Sequence, residues 1–275
     1  MERKTSVVNN LEKIAREIRI DVLQMLTEAE SGHTGGSLSA IEIITALYFN
    51  KMKHDPKNPG SPERDIFVLS KGHAAPALYA ALSKSGYFPC SELKSLRKLG
   101  SLLQGHPCSF ITPGVDVTTG SLGQGLSLAN GIALAAKLDK QPKKVYVLLG
   151  DGEVQEGQVW EAAMSAAHYK LDNICAIIDK NGLQIDGPTS EVMNVEPLLK
   201  KWQAFGWEAR ETDGHDLGEI LKALNKADRV KDKPFVIIAH TIKGKGVSFM
   251  ENKVKYHGVA PTREELERAL KEIHH

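Results

Sequence analysis

The chain has 275 residues, 41% of them hydrophobic, which is enough to bury a full core and excludes a disordered polymer. A formal net charge of +1 supplies no bulk field for nucleic acid or an acidic surface, and no apolar run approaches bilayer length; both point to a soluble, cytoplasmic protein with no nucleic-acid or membrane partner. The polar start, Met1 to Asn10, lacks the apolar core of a secretory signal, and Cys90, Cys108 and Cys175 are too scattered for a disulfide frame or a zinc site and read as reduced thiols.

In chain order, Leu11, Ile14, Ile18, Val22, Met25 and Leu26 recur at three- and four-residue steps and predict a helix over 10–30. The next stretch, Ser31-Gly-His-Thr-Gly-Gly-Ser37, reads as a loop in which glycines on either side of His33 and Thr34 let the backbone approach a ligand, with Ser37 or Ser39 capping a helix over 40–49. A Pro- and Asn-rich surface loop over 53–64 leads to a strand over 65–69, which runs into Ser70-Lys71-Gly72-His73 and a small-residue helix over 74–84. A short helix over 91–99 precedes Gly105-His106-Pro107. One glycine-flanked histidine reads as a solvated turn residue; three on separate loops point to a shared role.

Gly120 to Gly125 reads either as tight packing or as a backbone shelf over a flat ring, where a side chain would collide. The helix that follows, over 126–138, is built from small residues and suits close packing on a sheet or another subunit. Strands over 144–149 and 174–179 end at Gly150-Asp151-Gly152 and at Asn181-Gly182. A glycine turn between a parallel strand and a helix presents backbone N–H groups and a helix N-terminus, a natural seat for a diphosphate. One carboxylate and one amide oxygen on neighbouring strand ends suit Mg2+ or Ca2+ gripping phosphate oxygens as well. Alone, the tripeptide is a turn with Asp151 as a cap; its flanks favour the ligand reading. Glu156 and Glu161, early on the next helix, complement its dipole.

The remainder alternates a helix over 195–205, a strand over 207–211, a helix over 217–228 and a strand over 234–240. Lys243 and Lys245 stay open between solvated charges and phosphate neutralisation. Tyr256-His257-Gly258 adds a fourth loop histidine before a polar helix over 263–273. This alternation predicts an α/β fold, a mostly parallel doubly wound sheet flanked by helices. One domain is expected over 1–275, with a helical extension over about 1–50 and a tail over about 248–275.

His33, Gly72-His73, Gly105-His106-Pro107, Pro113-Gly-Val, Thr118-Thr-Gly-Ser-Leu-Gly-Gln-Gly125, Gly150-Asp-Gly and Gln155-Glu-Gly157 stand in the order and context seen in transketolase. The chain resembles the diphosphate-binding, N-terminal subunit of a split transketolase, from about residue 10 to about residue 260, without the pyrimidine-binding and further C-terminal domains. The resemblance implies the thiamine diphosphate-binding fold of the PP type. It implies thiamine diphosphate held by His73, Gly120, Ser121, Leu122, Gly150, Asp151, Gly152, Glu153, Asn181 and His257, and a metal ion held by Asp151, Asn181 and the Leu183 carbonyl. The cofactor supplies the carbanion chemistry, so the protein positions groups and moves protons, a task that suits histidine. In the family pattern His73 and His257 lie near the diphosphate and thiazolium, His106 contacts the donor hydroxyl and His33 the acceptor.

Glu156 matches a residue that communicates at the dimer interface with a glutamate on the partner. That glutamate, absent here, promotes the reactive imino form, so activity is expected only with a C-terminal partner subunit, in a heterotetramer acting on sugar phosphates. Ser121 and Thr34-Gly-Gly-Ser37 depart from the proline-containing family loops, which concerns loop stiffness. His240-Thr-Ile-Lys-Gly-Lys-Gly-Val247 is closer to deoxyxylulose phosphate synthase, whereas Thr118 to Gly125 and His106-Pro107 are not. That enzyme, a specialised sugar-phosphate transketolase and a non-catalytic cofactor-binding module stand as alternatives.

Overall fold

The computed structural model describes residues 2–274, with side chains from Ser6 onward; Met1 and His275, at the outer ends of the polar leader and of the terminal histidine pair, lie outside the described residues. The elements run α1 (Glu2–Ala29), α2 (Thr34–Leu38), α3 (Ile41–Ala46), β1 (Ile66–Leu69), α4 (Ala75–Ser85), α5 (Gln124–Leu138), β2 (Val145–Gly150), α6 (Gly157–His168) and β3 (Ile174–Lys180). They continue through a small hairpin, β4 (Leu183–Gln184) and β5 (Gly187–Pro188), to α7 (Thr189–Val192), α8 (Leu198–Ala204), β6 (Glu208–Asp213), α9 (Leu217–Ala227), β7 (Phe235–His240) and α10 (Arg263–His274).

Five strands pair in the order β1-β2-β3-β7-β6, all parallel. Their two-residue period sorts the side chains into two cores. Phe67, Leu69, Tyr146, Leu148, Cys175, Ile177, Phe235 and Ile237 face one layer, built from α1, α3, α4 and α9. Val68, Val145, Val147, Leu149, Ala176, Ile178, Val236 and Ile238 face the other, built from α5, α6 and α8. The strands are apolar on both faces because both are covered, the pattern of a doubly wound sheet. β1 feeds α4 on the first face while β2 and β3 feed α6 and α8 on the second, so a crevice opens above the carboxyl ends of the strands. At the edges, β6 exposes Arg210, Glu211 and Asp213, while the Phe67 amide of β1 donates to Asp116 Oδ2 at 2.9 Å.

Several local expectations change. The first helix begins at Glu2, not near residue 10. Thr34–Leu38 is a short helix instead of a loop, and neither serine caps α3: Ser37 Oγ donates to the His33 carbonyl at 2.7 Å and Ser39 Oγ to Asp179 Oδ2 at 2.6 Å. Helical backbone already starts at Thr34, so both hydroxyls lie beside a turn that is formed, not ahead of one. A π-turn over Leu47–Lys51 extends α3, and the helix expected over 91–99 is a 3₁₀ turn, Cys90–Ser95. The Gly-Asp-Gly turn reaches α6 only through another 3₁₀ turn, Glu153–Gln155. Cys90, Cys108 and Cys175 are free, and burial pushes the Cys175 thiol up to about 12. Among the described residues no helix is long and apolar enough to cross a membrane.

Candidate active site

Above the carboxyl ends of β1, β2 and β3 lies a cavity of about 320 Å3. Its lining includes His33, His73, His106 and His257, the turn residues Gly150, Asp151, Gly152 and Glu153, and Gly120, Leu122, Glu156, Asn181 and Leu183. Ser121, grouped with these from sequence, is exposed and is not part of the lining.

Strand register explains how the two turns meet: Gly150 of β2 stands opposite Asp179 of β3, so both strands end at the same height. Asp151 Oδ1 accepts the Gly152 amide at 2.9 Å, and its Oδ2 accepts the Gly182 amide at 2.6 Å. The Asp151 carboxylate therefore touches the turn that carries Asn181. Burial, and then the nearby Asp179, push the Asp151 carboxyl up to about 6. Asn181 Oδ1 accepts the Leu183 amide at 3.2 Å, and the Leu183 carbonyl accepts Lys243 Nζ at 3.0 Å. Burial and the charge of Lys71 pull the Lys243 ammonium down to about 8.

Three of the histidines form a triangle, with ring centroids 5.2 Å apart for His33 and His73, 5.6 Å for His33 and His257, and 5.4 Å for His73 and His257. Burial first, then nearby positive charges, holds His33 down to about 4 and His257 to about 3, and keeps His73 well below the ordinary range. His106 is also lowered, by burial and by Arg97. These rings are neutral near pH 7. The buried Nδ1 atoms of His33 and His257 have no hydrogen-bond partner in the protein, which leaves polar capacity for a ligand.

Under the triangle lies a charged floor. Lys71, 1% exposed, pairs with the fully buried Asp179 and donates to the Gly36 carbonyl at 2.9 Å. Asp179 also accepts the hydroxyls of Ser39 and Thr241. Glu153 is engaged within the protein: Oε1 accepts Ser70 Oγ and the Gly123 amide, the latter at 2.9 Å, and Oε2 accepts the Gly150 amide at 3.0 Å. It ties three loops together at the cavity wall. Lys71 and Asp179 were missed from sequence, although a lone acid closing the apolar run of β3 was a usable signal.

The glycines divide by task. A Cβ on Gly36 would stand 3.1 Å from His73 Nε2, and one on Gly35 2.9 Å from Lys243 Cγ, so these two make room for protein side chains and not, as expected, for a ligand. Gly123 and Gly125 likewise admit Glu156 and Ser70, while Gly120 remains at the cavity beside His106.

A parallel sheet with a diphosphate-type turn and a cluster of neutral histidines at its carboxyl edge defines a cofactor-dependent α/β enzyme. Residues 10–274 match the family described as transketolase, thiamine diphosphate binding domain. The chain is 49% identical over 264 residues to a 6-deoxy-6-sulfo-D-fructose transketolase subunit of Clostridium sp. (strain MSTE9), covering 96% of each chain. It is 45% identical to an apulose-4-phosphate transketolase subunit of Phocaeicola vulgatus, covering 97% of this chain and 94% of that one. The transketolase structure from Leishmania mexicana superposes with a TM-score of 0.91 at 34% identity, covering 96% of this chain and 41% of that one. The chain belongs to the transketolase family, as its thiamine diphosphate-binding part, and spans about two fifths of the length of that solved relative.

Proposed function

We propose that the chain is the N-terminal subunit of a two-chain transketolase that moves a two-carbon ketol unit from a ketose phosphate to an aldose phosphate and works only with a pyrimidine-binding partner. The observation that carries this reading is the meeting of Asp151, the Asn181 turn and the histidine triangle in one cavity. Relatives of the same length that are named as subunits support the two-chain form.

The residues fit the diphosphate and a hard cation. Among the described residues no group of three His, Cys, Asp or Glu side chains is placed to hold a metal ion by itself, so Mg2+ or Ca2+ would draw on Asp151, the Asn181 amide oxygen and the Leu183 carbonyl, with phosphate oxygens completing the shell. When bound, the thiazolium ring supplies the nucleophilic carbon and the electron sink. Lys243 offsets phosphate charge from the cavity floor. His73 and His257 would flank the reacting end, where a neutral imidazole can accept a proton and later return it. His33 would contact the acceptor hydroxyl, and the exposed His106 the donor hydroxyl. Glu156, exposed at the start of α6, faces a second copy, and the apolar Leu128, Leu138 and Met164, exposed on α5 and α6, suit the same contact. We place the assembly, a heterotetramer, in the cytoplasm, and take residues 1–275 as one thiamine diphosphate domain.

The test is reconstitution with a candidate partner, assayed with xylulose 5-phosphate as donor and ribose 5-phosphate as acceptor. Transfer is expected only when both chains are present; substantial turnover by the purified single chain rejects the reading. A specialised donor is the second reading, favoured by the 49% and 45% identities to the subunits named for sulfofructose and apulose 4-phosphate. Preference for either sugar over xylulose 5-phosphate in the same assay selects it.

A further inference from the structure

We propose that Arg19, Glu42 and His215, none of which lines the cavity, form a positioning relay that fixes the 241–247 loop and thereby sets the ammonium of Lys243 at the cavity floor. The inference deepens the diphosphate-site reading and rests on it.

Glu42, 7% exposed on α3, is held from both sides. Its Oε1 pairs with the guanidinium of Arg19, and its Oε2 lies 3.0 Å from His215 Nδ1. The other ring nitrogen, Nε2, accepts the backbone amide of Ile242 at 2.8 Å. A backbone amide only donates, so Nε2 carries no proton, and Nδ1 must bear the hydrogen that points at Glu42. Arg19 Nε in turn donates to the Lys245 carbonyl at 3.0 Å. The relay thus ends on two backbone atoms, at Ile242 and Lys245, that bracket Lys243.

Two further observations tie that loop to the site. A Cβ on Gly246 would stand 2.6 Å from Arg19 Nε, so the loop closes on the guanidinium only because residue 246 is glycine, with φ +87°. The Gly244 amide donates to the Gly35 carbonyl at 3.1 Å, joining the loop to α2, next to His33. Lys243 itself is 2% exposed, and its Nζ rests on the Leu183 carbonyl. A buried ammonium has little freedom to correct for a displaced backbone, so the bonds on either side of it decide where its charge stands. Burial pushes the Glu42 carboxyl up, but Arg19 and His215 outweigh it and keep Glu42 ionised.

The experiment is a double-mutant cycle on the full chain, reading thiamine diphosphate binding in the presence of Mg2+ by calorimetry, alone and together with the partner chain. His215→Leu is expected to weaken binding about tenfold, the scale of one lost buried hydrogen bond. In a Lys243→Gln background the same change should add nothing, because its effect runs through that lysine. An equal loss in both backgrounds, or none in either, overturns the relay. Should His215→Leu fail to fold, the wild-type ring decides: 15N resonances are expected to show a protonated Nδ1 and a bare, hydrogen-bonded Nε2, with slow exchange of the Ile242 amide. A proton on Nε2 overturns it. Failure of the wild-type chain to take up the cofactor even with its partner would sink the functional reading, while the ring resonances and amide exchange would still judge the relay.

Discussion

His54 and His215 have both ring nitrogens engaged: His54 through the Tyr48 carbonyl at 2.7 Å and the Tyr87 hydroxyl at 3.2 Å, His215 through Glu42 and Ile242. His33 and His257, at the cavity, each keep a buried nitrogen with no partner and sit among positive charges that oppose their protonation. The same side chain serves as a fixed connector in one place and as an unspent donor or acceptor in the other. Burial alone does not distinguish the two settings; the completeness of the hydrogen bonding does.

The largest expected effect tests what the open histidines rest on. Lys71→Met should remove about 3–5 kcal/mol of stability, because it strands the Asp179 carboxylate in the core. Urea denaturation measures it, and a loss below about 1 kcal/mol would show that the floor is not an obligatory ion pair. Next comes the contrast itself. His54→Leu should cost about 1–3 kcal/mol, since a buried carbonyl and a hydroxyl lose their partners, while His257→Asn should stay within about 0.5 kcal/mol in the cofactor-free chain. Equal losses would erase the distinction.

The third test, discounted because both rings are partly open to solvent, is the pH dependence. His33 and His257, held to about 4 and about 3, protonate less readily folded than in the unfolded chain, where the value is about 6.5. The unfolded state therefore binds more protons as pH falls below about 6.5, and these groups cost stability progressively down to about pH 3–4, where the effect levels off. Urea midpoints at pH 7 and pH 4.5 should differ less in a His33→Asn, His257→Asn double variant than in wild type.

Much of the framework was legible before any coordinates. The β-branched runs of β2, β3 and β7 marked central strands, and the turns after them marked the edge where the cavity lies, because both signals are local. Asp151 could be paired with Asn181 because each closes a strand and parallel strands end together. The hairpin at Leu183–Pro188, the α2 helix and the π-turn were hidden, since a few residues carry no readable period. The pairs Lys71 with Asp179 and Glu42 with His215 were hidden for another reason: their partners lie more than a hundred positions apart, and only packing brings them together. Small residues misled at Gly35 and Gly36, where the missing side chains admit Lys243 and His73.

The two margins of the sheet constrain how this molecule can meet others. A bare strand flank is a template on which a foreign strand can dock, and it seeds aggregation. Here one margin bristles with Arg210, Glu211 and Asp213, and at the other the Phe67 amide is plugged by Asp116. Growth of the sheet from chain to chain is thereby discouraged, which leaves the helical flanks and the histidine rim as the open surfaces for a companion.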